Sequence, residues 1–156
     1  MSGEALKHFD DINSCKYLYL KEICEPEDNS LRLIIEEAVE GDEPEAIGGT
    51  GLSGKGIQVT SESRVFEIYF DSYIGYSIID ESLALPDDSE VFEGRMFCVY
   101  EKSNYLDYLK KASFATEYHP GPSVHYGFNC LNHIVDIVAI CYIQQAGDGY
   151  SSCPKR

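Results

Sequence analysis

Three histidines, His119, His125 and His133, stand close together in the chain with Cys130 and Asp136 among them. Imidazole, thiol and carboxylate are the groups that ligate a transition metal or form a nucleophile and its base. Residues 125–143 are too apolar and β-branched for a surface helix, so they read as one long central strand. On such a strand odd and even positions face opposite ways, and His125 and His133 share one face roughly 26 Å apart. Cys130 and Asp136 take the other face, so no metal and no cofactor are expected, and Cys130 reads as core packing. Asp136, inside the apolar run Ile134 to Val138, needs solvent or a partner such as Arg95 or a histidine.

A second pattern, GxxxxGK at Gly49 to Lys55, overlaps GxGxxG through Gly49, Gly51 and Gly54. A phosphate loop needs a buried strand before it, a helix N-terminus after it, and Ser or Thr following the lysine for magnesium. Gly56 stands in that last place, and GIQVTS alternates as a strand, which leaves no helix to receive phosphates. The segment 41–56 instead reads as a flexible glycine-rich loop.

Charge is the third resource. The 156 residues carry 27 acidic and 12 basic side chains, a net charge of −15 that repels nucleic acid and anionic membrane surfaces and attracts a basic protein. From Glu22 to Glu45 there are ten acids against one base, Arg32, and six more acids lie between Asp80 and Glu93. Glu36, Glu37, Glu40, Asp42, Glu43, Asp87 and Asp88 are the candidate partner-binding residues. If hairpin and loop share a side, they form one anionic surface.

The elements that must position these groups are mostly strands. Ser61 to Ser82 alternates, with Phe66, Ile68 and Phe70 on one face and Val65, Glu67 and Tyr69 on the other, as in a half-buried antiparallel strand. Strands are also expected at Tyr17–Glu22, Leu31–Val39, 73–79 and Arg95–Tyr100, with a turn at Glu25–Ser30 and a polar loop over DESLALPDDSEVFEG. Ser103 predicts the N-cap of a helix to Ala112, with Tyr105, Tyr108, Leu109 and Ala112 on one side. Ala5, Leu6, Phe9 and Ile12 have the spacing of a short N-terminal helix, and residues 146–156 read as a frayed tail. The fold class is α+β, predominantly an antiparallel sheet of six to seven strands, with two layers as one way to stack them.

One domain suits this length, and 44% hydrophobic with 12% aromatic content is that of a folded chain. The first residues lack the basic and apolar regions of a signal peptide, and no run reaches the ~20 apolar residues of a membrane span, which predicts a cytoplasmic protein. Six cysteines without a CxxC pair read as free thiols.

The segments FEIYFDSYIGYSIIDES, FEGRMFCVYEKSNYLDYLKKASFAT and PGPSVHYGFNCLNHIVDIV, with LYLKEI and LRLIIEEA, cover about two thirds of the chain. In them the chain resembles a family of uncharacterised bacterial proteins, and that resemblance brings no activity with it. Asp80-Glu81-Ser82 stands where that pattern has Asn-Glu-Ser, so no role for an amide carries over. In composition alone the chain resembles immunity proteins, small acidic inhibitors of basic toxins.

Two functional readings follow. The first is an acidic, non-enzymatic protein-binding module, an immunity-type inhibitor of a basic toxin being one form of it. The second is a small enzyme or ligand binder whose cleft beside the sheet uses His119, His125 and Glu81 for catalysis and Tyr126 and His133 for contacts, next to the rigid Pro120-Gly121-Pro122 loop. An open antiparallel sheet also leaves edges that permit strand-to-strand pairing, with no oligomeric state selected.

Overall fold

Alternation in β4 (Val65–Phe70) sorts its side chains as expected: Phe66, Ile68 and Phe70 are buried, and Val65, Glu67 and Tyr69 are exposed. The computed structural model describes residues 3–140, so the C-terminal tail expected at 146–156 lies outside the described residues. Nine strands and two α-helices occur among them, more strands than the six to seven expected. All strand pairs are antiparallel. No described helix is long and apolar enough to cross a membrane.

The first sheet centres on β2 (Leu31–Ile47), with β1 (Tyr17–Cys24) on one edge, and β4 and β3 (Leu52–Gln58) in succession on the other. The second runs β5 (Tyr73–Asp80), β9 (His133–Ile140), β8 (Ser123–Asn129), β7 (Phe97–Lys102), β6 (Val91–Gly94). The core lies between the sheets. Leu18, Leu20, Leu31, Leu33, Ile35, Phe66, Ile68 and Phe70 from one sheet meet Phe97, Tyr126, Phe128, Val135, Ile137 and Ala139 from the other. Helix α1 (Gly3–Ser14) adds Ile12 to that core, and Cys15 follows directly behind it. Helix α2 (Asn104–Ala112) lies against the opposite, outer face of the second sheet.

Three expectations are corrected. The single strand expected over 125–143 is, within the described residues to 140, a hairpin of β8 and β9 turned at Cys130–Asn132. The turn is fixed from outside, which periodicity does not reveal. Leu131 N–H donates to the Leu18 carbonyl at 2.8 Å, and the Asn132 side chain accepts from Leu20 N–H at 3.0 Å and donates to the Leu20 carbonyl at 2.9 Å. The carboxamide thus takes the place of a neighbouring strand and closes the edge of β1.

Nor is 41–56 a loop. β2 and β3 pair from Val39↔Gln58 to Ile47↔Leu52, with an irregularity between Glu40 and Pro44. Pro44 is tolerated because β1 has ended by then, its last partner on β2 being Ala38. Only residues 48–51 turn, and Gly49 (φ 75°) and Gly51 (φ 70°) adopt the left-handed backbone that glycine allows. Lys55 therefore lies on a strand, with no helix N-terminus behind the glycines. The loop expected over 80–94 likewise contains β6.

Asn13, at the end of α1, ties that helix to the β6–β7 turn. Its Oδ1 accepts from the N–H groups of Arg95, Met96 and Phe97 at 2.8, 2.9 and 3.2 Å, and its Nδ2 donates to the Phe97 carbonyl at 3.0 Å. Gly94 is obligatory there, with φ at 99° and the Phe97 carbonyl only 2.0 Å from where a Cβ would sit.

The Asn132 closure has a measurable weight. Two hydrogen bonds at about 1 kcal/mol each predict that Asn132→Ala loses ~2 kcal/mol in denaturant unfolding. An unchanged midpoint and slope would show that water substitutes fully for the carboxamide.

Candidate functional site

The outer face of the second sheet holds a buried polar line. In register, Tyr100 of β7 opposes His125 of β8, and Gly127 of β8 opposes Asp136 of β9, so these side chains point toward α2. His125 Nδ1 lies 2.6 Å from Ser103 Oγ and its Nε2 lies 2.8 Å from Asp136 Oδ1. Ser103 is the N-cap of α2 as expected, its Oγ accepting from Leu106 N–H at 3.0 Å. The Tyr100 ring stacks on the imidazole, centroids 4.1 Å apart and planes 12° apart. It also lies over Gly127, where a Cβ would come within 2.8 Å of the ring. Burial pushes the Tyr100 phenol far up and that of Tyr105 up to about 12.

A serine, a histidine and a carboxylate in a row are the parts of a hydrolytic triad. With a neutral imidazole, Nε2–H donates to Asp136, Nδ1 accepts the Ser103 hydroxyl proton, and Oγ accepts from Leu106, so every polar atom is satisfied. The line is closed to substrate. Ser103 is 2% and His125 1% exposed, and Oγ is already committed to capping the helix. It fastens α2 to the sheet. The partner that Asp136 needs is thus His125, on the same face because the turn at 130–132 resets the alternation between the two strands.

The residues expected around a cleft do not converge. Tyr126 points the opposite way from His125, into the core, its ring 5.3 Å from that of Phe70 and 6.0 Å from that of Phe97. His133 opens β9 opposite Asp80, with Nδ1 buried and lacking a hydrogen-bond partner. Glu81 is exposed on a short 3-10 turn, Glu81–Leu83, and His119 is exposed in the loop before Pro120. Burial pushes the thiols of Cys98 and Cys130 up to about 11 and 12, which keeps both protonated and unreactive. Among the described residues no three His, Cys, Asp or Glu side chains gather as metal ligands.

A cleft of about 580 Å³ does lie beside the sheet, between α2 and the loop that carries Gly121 and Pro122. Ile74, Leu106, Leu109 and Val138 make its floor apolar, so the proline–glycine loop forms a wall but the expected histidines and Glu81 are absent from the lining. Phe114 and Tyr118, on that same loop, are 97% and 95% exposed.

The acidic candidates divide into two sets. Glu36 pairs with Lys21 at 2.6 Å, Glu40 with Lys16, and Glu37 with Arg64 through two bonds of 2.8 and 2.9 Å. Those three carboxylates are already engaged by the fold. Hydrogen bonding from the Ser89 side chain, then from the Asn104 side chain and Ser89 N–H, pushes the Asp87 carboxyl down to about 2, and Asp88 beside it is exposed. Since Asn104 begins α2, Asp87 belongs to the outer layer of the second sheet while Glu36, Glu37 and Glu40 belong to the first. Asp42 and Glu43, on the extension of β2, are exposed and make no ion pair among the described residues.

No family model matches the chain, and the comparisons with curated proteins and with solved structures found no match.

Removing the Ser103 hydroxyl deletes a cap and leaves His125 Nδ1 buried without a partner. Ser103→Ala is expected to cost about 2–4 kcal/mol in chemical unfolding, and Ser103→Thr to recover most of it. Equal loss in both variants would contradict the pin. Arg64 hydrogen-bonds Glu37 and lowers its carboxyl below the ordinary value of 4.5. A depressed folded-state value stabilises above the ordinary one and is lost as pH falls through the lowered one. Glu37→Gln is therefore less stable than the parent at pH 7, and the two unfolding midpoints converge below pH 4.5. A gap that stays constant down to acid pH would refute that linkage.

Proposed function

We propose that the protein is a non-enzymatic binding module that docks a basic protein partner on the β2–β3 arm. The observation that carries this reading is the arm itself. From Asp42 to Thr60 the burial pattern is exposed at every position but Gly54, so both faces of the two-stranded hairpin meet solvent. An isolated two-stranded hairpin is marginal in water, and three or more strands or a packed helix are needed for independent stability. Such an arm gains most when a second molecule covers it.

Its chemistry favours a cationic partner. Asp42, Glu43 and Glu45 face one basic residue within the arm, Lys55, on a chain of net charge −15. Ile47, Leu52 and Ile57 are 51%, 66% and 41% exposed and supply apolar contacts among those carboxylates. Steering by net charge and desolvation of these side chains at contact would act together. An immunity-type inhibitor of a basic toxin is the specific form of module that this composition suggests. The closed Ser103–His125–Asp136 line is further support for binding over catalysis.

An arginine-rich peptide serves as a defined probe. Reversing Asp42, Glu43 and Glu45 to Lys is expected to weaken its binding about tenfold, near 1.4 kcal/mol, and to flatten the salt dependence. Reversing Glu62, Asp71 and Glu93 changes net charge equally and should have a much smaller effect. Equal losses for the two triple variants would mean that bulk charge alone attracts the peptide, and the arm reading would fall.

A further inference from the structure

The free edge of β5 offers a second surface, and we infer that two copies of this chain pair there, edge to edge. β5 ends the order of the second sheet, so β9 bonds it on one side only. Half of the backbone donors and acceptors in such a strand point away from the neighbour. Beyond Tyr73, whose N–H donates to the Asn29 carbonyl at 3.2 Å, no backbone bond among the described residues closes that side. The first sheet does not cover it either, because the inward-facing Tyr76 and Ile78 are 37% and 39% exposed.

Every other edge carries a protective device. Leu131 and Asn132 close β1, β6 is four residues long and carries Glu93, and β3 and β4 carry Lys55 and Glu67. β5 reads YIGYSIID, eight residues with no lysine, no proline and a single charge at its last position. Natural edge strands of this length and neutrality are otherwise a template for pairing.

Charge selects a second copy as the occupant. A chain of net charge −15 repels its own kind except along a neutral strip, and β5 is such a strip. In a two-fold antiparallel pairing centred on Ser77, inward-facing Tyr76 opposes Ile78 of the partner subunit and outward-facing Gly75 opposes Ile79 of the partner subunit. The two Asp80 carboxylates then lie at opposite ends of the interface. Ile79 is 42% exposed on the outer face, so the pairing buries side chains as well as completing backbone bonds. The two second sheets join into one of ten strands.

Sedimentation equilibrium of the full chain over rising concentration tests this directly. The mass should climb from 17.5 kDa toward twice that value, and amide hydrogen exchange should slow across 73–80 but not across β6 at the far edge. Ile78→Lys and Ile79→Lys, made separately and checked by circular dichroism and thermal melting, should each remain folded and monomeric. A parent that stays monomeric throughout overturns the inference. So does a dimer that survives both lysines, or one that protects the arm instead of β5.

Discussion

A fully buried imidazole constrains the outer layer of this protein. Both nitrogens of His125 must be satisfied where water cannot reach, and the two groups that satisfy them come from different elements, Ser103 at the start of α2 and Asp136 on β9. Because Ser103 also caps α2, the helix cannot leave the sheet without exposing or orphaning a polar atom. None of the described residues of α2 is buried, so apolar packing gives it little independent hold. The polar line compensates, and the cleft beside Leu106 and Leu109 exists because the helix is held at one end over the sheet.

Side-chain amides do comparable work elsewhere. Asn13 satisfies three consecutive N–H groups at the β6–β7 turn, and Asn132 satisfies both backbone groups of Leu20. Each lets one sheet or helix end against another without a covalent link, and the described cysteines are all free thiols. Cys15 shows how closely such joints are packed: burial and the nearby Glu37 carboxylate raise its thiol to about 11 although Arg64 opposes them.

Functionally, the chain separates paired acid from unpaired acid. Across the exposed face of the first sheet, Lys21, Arg32 and Lys16 neutralise Glu36, Glu22 with Glu67, and Glu40, as cross-strand neighbours do. That ladder uses most of the local cations, so net negative charge accumulates where the sheet runs past its neighbours into the arm. An extended edge-bearing strand such as β5 is the complementary case: almost no charge, and open backbone groups. The same chain therefore carries one exposed extension rich in unpaired acid and one edge strand almost without charge.

The sequence by itself determined the antiparallel strands whose alternation is strict, β4 above all, the Ser103 cap, the absence of a phosphate-binding helix after Lys55, and the need of Asp136 for a partner. Each is set by neighbours a few residues away, which is the range over which periodicity and capping act. Tertiary structure alone decided that 125–140 folds back at Cys130–Asn132, that glycine-rich 48–58 completes a hairpin, and that Glu36, Glu37 and Glu40 are spent in ion pairs. Those outcomes depend on Leu18 and Leu20 of β1, on the length of β2, and on Lys21, Arg64 and Lys16, residues distant in the chain. A turn held by another strand and a charge neutralised across a sheet leave no local pattern, because the energy that fixes them belongs to contacts that form only on folding.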